Sequence, residues 1–268
     1  MIQKILLTKL FIFTFLQATT HLVPDEFSTI QEAINAASAS DTIIVSNGIY
    51  FENIDFLGKA IKVTSRYLVD NDSLIIGSTI IDAQEFGSVA TFKSGENQES
   101  ILQGFTLRNG IGNDEDPDGN GSFYTYGGGI YCEGSSPLIR DCIIKNNSAN
   151  EGGGAGIFCY NASPVFQGCT ITENQTDDVG GGFYARTGSS PEFYNCNFFD
   201  NTAEFGAGCY IRNTSTPILT NVIFNQNTAN NSGGGIAIKD GVNLVANQVI
   251  MVNNDAEGLG GGLYINDA

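Results

Sequence analysis

Hydrophobic and polar positions along this chain fall into short pieces. After Pro24, Ile30, Ala33, Ile34 and Ala37 recur at helical spacing, and Thr29-Ile30-Gln31-Glu32 has the Ser/Thr-x-x-Glu form of a capping box. A short amphipathic helix is predicted there. Beyond it, apolar runs over residues 41–46, 49–56 and 60–67 are broken by Asn47-Gly48 and Gly58-Lys59 turns, and each run reads as one or two short strands. From residue 127 the pattern repeats. GGGIYCEGSSPLIRDCIIKNN begins at Gly127, GAGIFCYNASPVFQGCTITEN at Gly154, GGGFYARTGSSPEFYNCNFFDN at Gly180 and GAGCYIRNTSTPILTNVIFNQN at Gly206. GGGIAIKDGVNLVANQVIMVN follows at Gly233 and a shorter GGGLYIND at Gly260. Pro137, Pro164, Pro191 and Pro217 are 27, 27 and 26 residues apart, and Asn147, Asn174, Asn201, Asn227 and Asn253 keep nearly the same step.

The interior of the repeat selects its architecture. Glycine triplets, Ser-Pro and Asn-rich turns cut each unit into pieces of about six residues, which excludes helical solenoids. A parallel β-helix remains: an all-β solenoid with a short N-terminal capping helix and three short strands per coil. Its coils stack at about 4.8 Å, so equivalent residues form columns. Two columns are apolar. One reads Ile130, Ile157, Phe183, Cys209, Ile236, Leu263, and the other Cys132, Cys159, Ala185, Ile211, Ile238, Ile265. They alternate with less uniform positions, the period-two signature of a strand with one buried face. The Asn series is expected to stack as an internal ladder at a corner, satisfying backbone groups there.

Composition narrows the function classes. The 268 residues are 41% hydrophobic and 15% charged, which excludes a disordered tail, and 33 Gly without a three-residue period excludes collagen. A formal charge of -17 excludes nucleic acid as partner, because such binding depends on Lys and Arg neutralising phosphates. Lys4 and Lys9 precede an apolar run over residues 10–16, followed by Gln17, Ala18, Thr19 and Thr20, so residues 1–20 read as a secretory signal peptide. The run is shorter than the roughly 20 apolar residues that span a bilayer, so no transmembrane segment is expected after cleavage. The expected organisation is a leader over 1–20, a cap with irregular first coils over 21–126, and regular coils over 127–268 that stop in mid-coil. The protein is expected to be secreted or at the cell surface.

Here the chain resembles the secreted right-handed parallel β-helix proteins of the pectin-lyase-like superfamily. The resemblance runs from about Val23, through VPDEFSTIQEAINAASASDTIIVSNGIYFENI and ILQGFTLRNG. The Gly-Gly-Gly-Ile elements and the Phe-x-x-Asn elements at Phe198 and Phe224 also look like repeats of polymorphic outer-membrane adhesins. It implies a right-handed coil and hosts lyases, hydrolases, epimerases, adhesins and spacers alike.

Three features bear on function. Cys142, Cys169 and Cys196 share one column and Cys132 and Cys159 another, which reads as buried reduced thiols rather than a disulfide framework. With no CxxC pair and a single His, His21, a zinc site is not expected. Asp114, Asp116 and Asp118 followed by Gly119 match the first half of an EF-type loop, making calcium the expected metal, although Pro117 interrupts the match and Thr125 stands at the twelfth position. A merely solvated acidic loop is the alternative.

The outward positions of the strand after each glycine cluster read Tyr131, Phe158, Tyr184, Tyr210, Ala237, Tyr264, beside Glu133, Tyr160, Arg186, Arg212, Lys239, Asn266. Both columns are expected to face solvent. Cations in successive rows repel unless an anion meets them. Tyr131, Tyr184 and Tyr210 stacking on sugar rings, with Arg186, Arg212 and Lys239 gripping uronate oxygens, would bind an acidic polysaccharide or cell-surface glycan. Stacked rings that only stabilise the sheet are the structural alternative.

No catalytic residue is assigned. The resemblance implies either paired carboxylates for hydrolysis or, in lyases, calcium with an Arg base; no Asp-Asp or His motif of the first kind occurs on a coil strand. Asp177, Asp178 and Glu204 precede the strands bearing Arg186 and Arg212, which leaves a calcium-dependent, pectate-type lyase as one alternative; the Trp and His of lyase signatures are absent. An adhesin or spacer without activity is the other.

Overall fold

A computed structural model of the chain describes residues 17–70 and 72–266, and the leader's Lys4, Lys9 and residues 10–16 lie outside them. The glycine clusters and Asn corners turn the chain every few residues, and the result is a right-handed parallel β-solenoid of about eight turns. Its front wall is an eight-stranded parallel sheet from Ile54–Asp55 through Ala90–Phe92, Ile130–Glu133, Ile157–Tyr160, Phe183–Arg186, Cys209–Arg212 and Ile236–Lys239 to Leu263–Asn266. The other two walls belong to one 15-stranded sheet, because Ile218–Asn225 runs through the corner between them.

The core columns are as the alternation predicts. Ile130, Ile157, Phe183, Cys209 and Ile236 are in register and buried, as are Cys132, Cys159, Ala185, Ile211 and Ile238, whereas Leu263 and Ile265, in register with them, are exposed. Aromatic rings from the other walls fill the space between: Phe166 stacks on Phe193 at 4.6 Å and Phe198 on Phe224 at 4.8 Å. Offset stacking of this kind adds about 0.5–1.5 kcal/mol per pair beyond area burial. The six cysteines are buried free thiols, and burial pushes Cys142 up to about 12.

The Asn ladder is internal. Asn147 Nδ2 donates to Asn174 Oδ1 at 2.9 Å, Asn174 to Asn201 at 3.0 Å and Asn201 to Asn227 at 2.9 Å. The next rung corrects the sequence reading: Asn227 donates to Asn254 at 2.8 Å, while Asn253 is exposed with φ 53°. Asn253 continues a different column, the left-handed corner residues Asn146, Glu173, Asp200 and Gln226. Two adjacent asparagines hid the one-residue offset.

The cap begins with α1, Ile30–Ala36, which buries Ile30, Ala33 and Ile34. Thr29 accepts the Glu32 N–H at 3.1 Å, as the capping box predicts, but Glu52 from the next coil supplies the rest of the cap. Its two carboxylate oxygens accept the Ile30 and Gln31 N–H groups, each at 2.9 Å. At the other end Lys59 Nζ donates to the Ile34, Asn35 and Ala37 carbonyls. The strand Thr20–Val23 pairs in register with Thr42–Val45, so the fold uses Thr20, the last residue assigned to the leader. Two short helices, α2 (Tyr67–Asp70) and α3 (Leu74–Ser78), lie among the irregular first coils. Among the described residues no helix is long and apolar enough to cross a membrane.

Candidate functional site

The front wall differs most from the sequence reading. Its outward columns are in register as predicted, Tyr131 beside Phe158, Tyr184 beside Tyr210 and Arg212 beside Lys239, but they do not form an open stripe. Tyr131 and Phe158 are fully buried, and Tyr184, Tyr210 and Arg186 are 2%, 7% and 5% exposed. Segments that read as turns cause this. Asn113–Glu115, Tyr124–Tyr126 and Glu151–Gly153 form one small side sheet, and Thr202–Phe205, Thr228–Ser232 and Asp255–Ala256 form another. Against the front wall lies a second apolar cluster of Tyr126, Tyr131, Phe158, Tyr184, Tyr210 and Ala237. Tyr126 stacks on Phe158 at 4.4 Å, a contact that no strand periodicity could reveal.

Within this covered face the cations have unequal surroundings. Arg186 donates from Nη1 to Asp118 Oδ2 at 2.9 Å and from Nη2 to the Tyr126 hydroxyl at 3.4 Å. Its guanidinium carbon lies 5.3 Å from the Tyr126 and Tyr160 ring centres. Arg212 lies 5.7 Å from the Tyr184 ring centre and has no ion pair among the described residues. Burial works against its charge, but Tyr184, Tyr210 and Asp240 outweigh that and raise its pKa. The Nε atoms of both arginines are buried without a hydrogen-bond partner. Asp118 therefore pairs with Arg186, while Arg212 feels the Asp178 and Asp240 carboxylates without a close ion pair among the described residues.

These arginines line a cleft with two adjoining lobes of about 360 and 390 Å³. The first lies between Asp118, Tyr126, Tyr184 and Arg186, and the second between Phe205, Tyr210, Lys239 and Tyr264; Asp178, Val179 and Arg212 belong to both. Five of the six predicted binding residues thus reach one cleft, and Tyr131 does not. Burial raises the Asp178 carboxyl above its ordinary range, with Arg212 opposing and Glu204 adding to the effect. Sequence reading placed Asp178 near the arginines but missed Asp118 and Tyr126 as their partners, because both arrive from 60 or more residues away.

The acidic insertion is divided between contacts. Asp114 lines a separate, more apolar hollow of about 480 Å³ with Ile54, Phe86 and Ile111, whereas Asp118 faces the arginine cleft. Asp116 accepts the N–H groups of Asn120 and Gly121, at 3.1 and 2.6 Å, closing its own turn. Among the described residues no group of three or more His, Cys, Asp or Glu side chains is placed to hold a metal ion. A carboxylate already held by a guanidinium is a poor calcium ligand, so this donor arrangement does not fit the ion and calcium rests on the sequence pattern alone.

The profile of the family described as "Right handed beta helix region" matches residues 69–268. The chain belongs to that right-handed β-helix family. No match was found among curated proteins.

Proposed function

We propose that the protein is an exported or cell-surface β-helix that binds acidic polysaccharide in the Arg186–Arg212 cleft. One observation carries this reading: two guanidinium groups on consecutive coils are framed by aromatic rings, only that of Arg186 is held in an ion pair among the described residues, and Lys239 stands in the next row. In a chain of charge -17 such a spot attracts an anion selectively, and the half-buried Tyr264 ring of the same cleft suits the C–H face of a sugar. Export rests on the leader pattern of residues 1–20. Titration with oligouronates at two salt concentrations is the test. Arg212→Ala should weaken binding about tenfold or more, since hydrogen bonds to charged groups contribute about 1.5–3 kcal/mol, while Arg66→Ala, at an exposed pair with Asp70, should leave it unchanged. Binding should also weaken with salt. Equal affinity for neutral glucans would sink the reading.

Asp178 favours a second reading, lyase chemistry. A carboxyl held above its ordinary range beside Arg212 suits proton transfer at a bound uronate. Ultraviolet absorbance from unsaturated products during the same titration would separate turnover from binding.

A further inference from the structure

The hollow of about 480 Å³ at the N-terminal end of the front wall shares no lining residue with the arginine cleft. The buried Ile54 and Thr91, from the wall's first two strands, lie deepest in it, and the exposed Phe86 and Ile111 stand at its edge. Phe86 is 78% exposed, yet its turn is fixed. Gln84, Glu85 and Gly87 all take left-handed backbone, at φ 52°, 59° and 55°, which side-chain-bearing residues keep only where their surroundings impose it. Here Asn53 Nδ2 donates to the Phe86 and Ser88 carbonyls, and Asn113 Oδ1 accepts the Ser88 N–H at 3.0 Å. The Ile111 and Gly112 N–H groups donate to the Gly87 carbonyl at 2.9 and 3.2 Å. An aromatic ring is thus held ready at the mouth of an apolar hollow.

The charge of the hollow has one sign. Asp55 and Asp114 line it, no Lys, Arg or His does, and neither carboxylate has an ion pair among the described residues. Lys93, whose charge feels Asp55, is held by Glu115 at 2.7 Å. We propose that this hollow binds an organic cation, an ammonium group carried on an apolar or aromatic body. The body lies against Ile54, Phe86 and Ile111, and the ammonium meets Asp55 and Asp114, with the face of the Phe86 ring adding to the attraction. Charge complementarity selects this occupant: uncompensated carboxylates repel an anion, and a neutral body would desolvate them without giving them a partner. The proposal is independent of the polysaccharide reading.

Three probes that share one ring and differ in charge test it: naphthylethylamine, naphthylethanol and naphthylacetate at pH 7. The chain has no Trp, so naphthyl fluorescence reports binding to the wild-type protein directly. The amine should bind about fivefold or more tighter than the alcohol, the gain of a partly screened contact with two carboxylates, and the acetate more weakly than either. Asp114→Asn should bring the amine towards the alcohol and leave the alcohol unchanged, whereas Phe86→Ala should weaken both. Both side chains are exposed, so neither variant disturbs the core. Glu257→Gln, the same loss of charge on the last coil, should change nothing. Alcohol or acetate binding as tightly as the amine, amine binding that survives Asp114→Asn and Phe86→Ala, or no amine binding at millimolar concentration would each overturn the proposal.

Discussion

At the residue scale, the asparagine column shows why a single amide matters in a solenoid. Asn201 has no exposed surface, and its Oδ1 accepts both the backbone N–H and the side-chain N–H of Asn174, at 3.1 and 3.0 Å. Its Nδ2 donates to the Ile171 carbonyl and to Asn227. Asn201→Ala strands these buried partners at about 1–3 kcal/mol each, so urea denaturation should show a loss of several kcal/mol. Asn253→Ala, at the exposed corner, should cost far less. Glycine is required beside the ladder for a related reason: a Cβ on Gly156 would lie 2.4 Å from the Gly182 carbonyl oxygen and 3.0 Å from Asn174 Nδ2. Gly154 is needed for its backbone as well, at φ 66°, and a Cβ there would lie 2.6 Å from the Ile157 carbonyl oxygen.

Among the elements, the segment over residues 113–126 decides the site. It converts an exposed aromatic stripe into a covered face and assigns Asp118 to Arg186, whose guanidinium is too buried to be left unpaired cheaply. Calcium would have to compete with that pair. The melting temperature of the wild type is therefore expected to be the same in millimolar calcium as in chelator, measured by scanning calorimetry. A clear rise in calcium would show that the loop rearranges to free Asp118, because only binding to the folded state stabilises it.

Across the whole molecule, 29 acidic residues face few cations, and the paired carboxylates set the response to acid. Asp41 is held below its ordinary value of 3.8 by the N–H groups of Ser38 and Thr19, with His21 adding. For Asp82 burial pushes upward, but the Gln84 N–H, Asn109 and Arg108 outweigh it, and its pKa is also lowered. A carboxyl with a lowered folded pKa stabilises the fold above its unfolded value. That contribution is lost as pH falls through the folded value, here below 3.8. Asp82→Asn should accordingly lower the urea midpoint at pH 7, and the gap to wild type should narrow by about pH 2. A gap of the same size at both pH values would refute the linkage.

The sequence by itself determined the coil. Its period of about 27 residues, the two inward columns, the helical cap and the internal amide stack are local or nearest-neighbour properties, and a stacked repeat turns each into a column. Even there, choosing between Asn253 and Asn254 needed the corner geometry, since both side chains are chemically equal and only φ separates their columns. Tertiary structure alone decided which outward residues meet water. Tyr131 and Tyr184 alternate as exposed residues would, yet their cover comes from segments whose short, glycine-rich sequences carry no periodicity. The pairing of Asp118 with Arg186 spans more than two coils, and no spacing rule links an irregular insertion to a row of the repeat. Register along a solenoid is written in the repeat, whereas what folds back over its face is fixed by packing against the rows it covers.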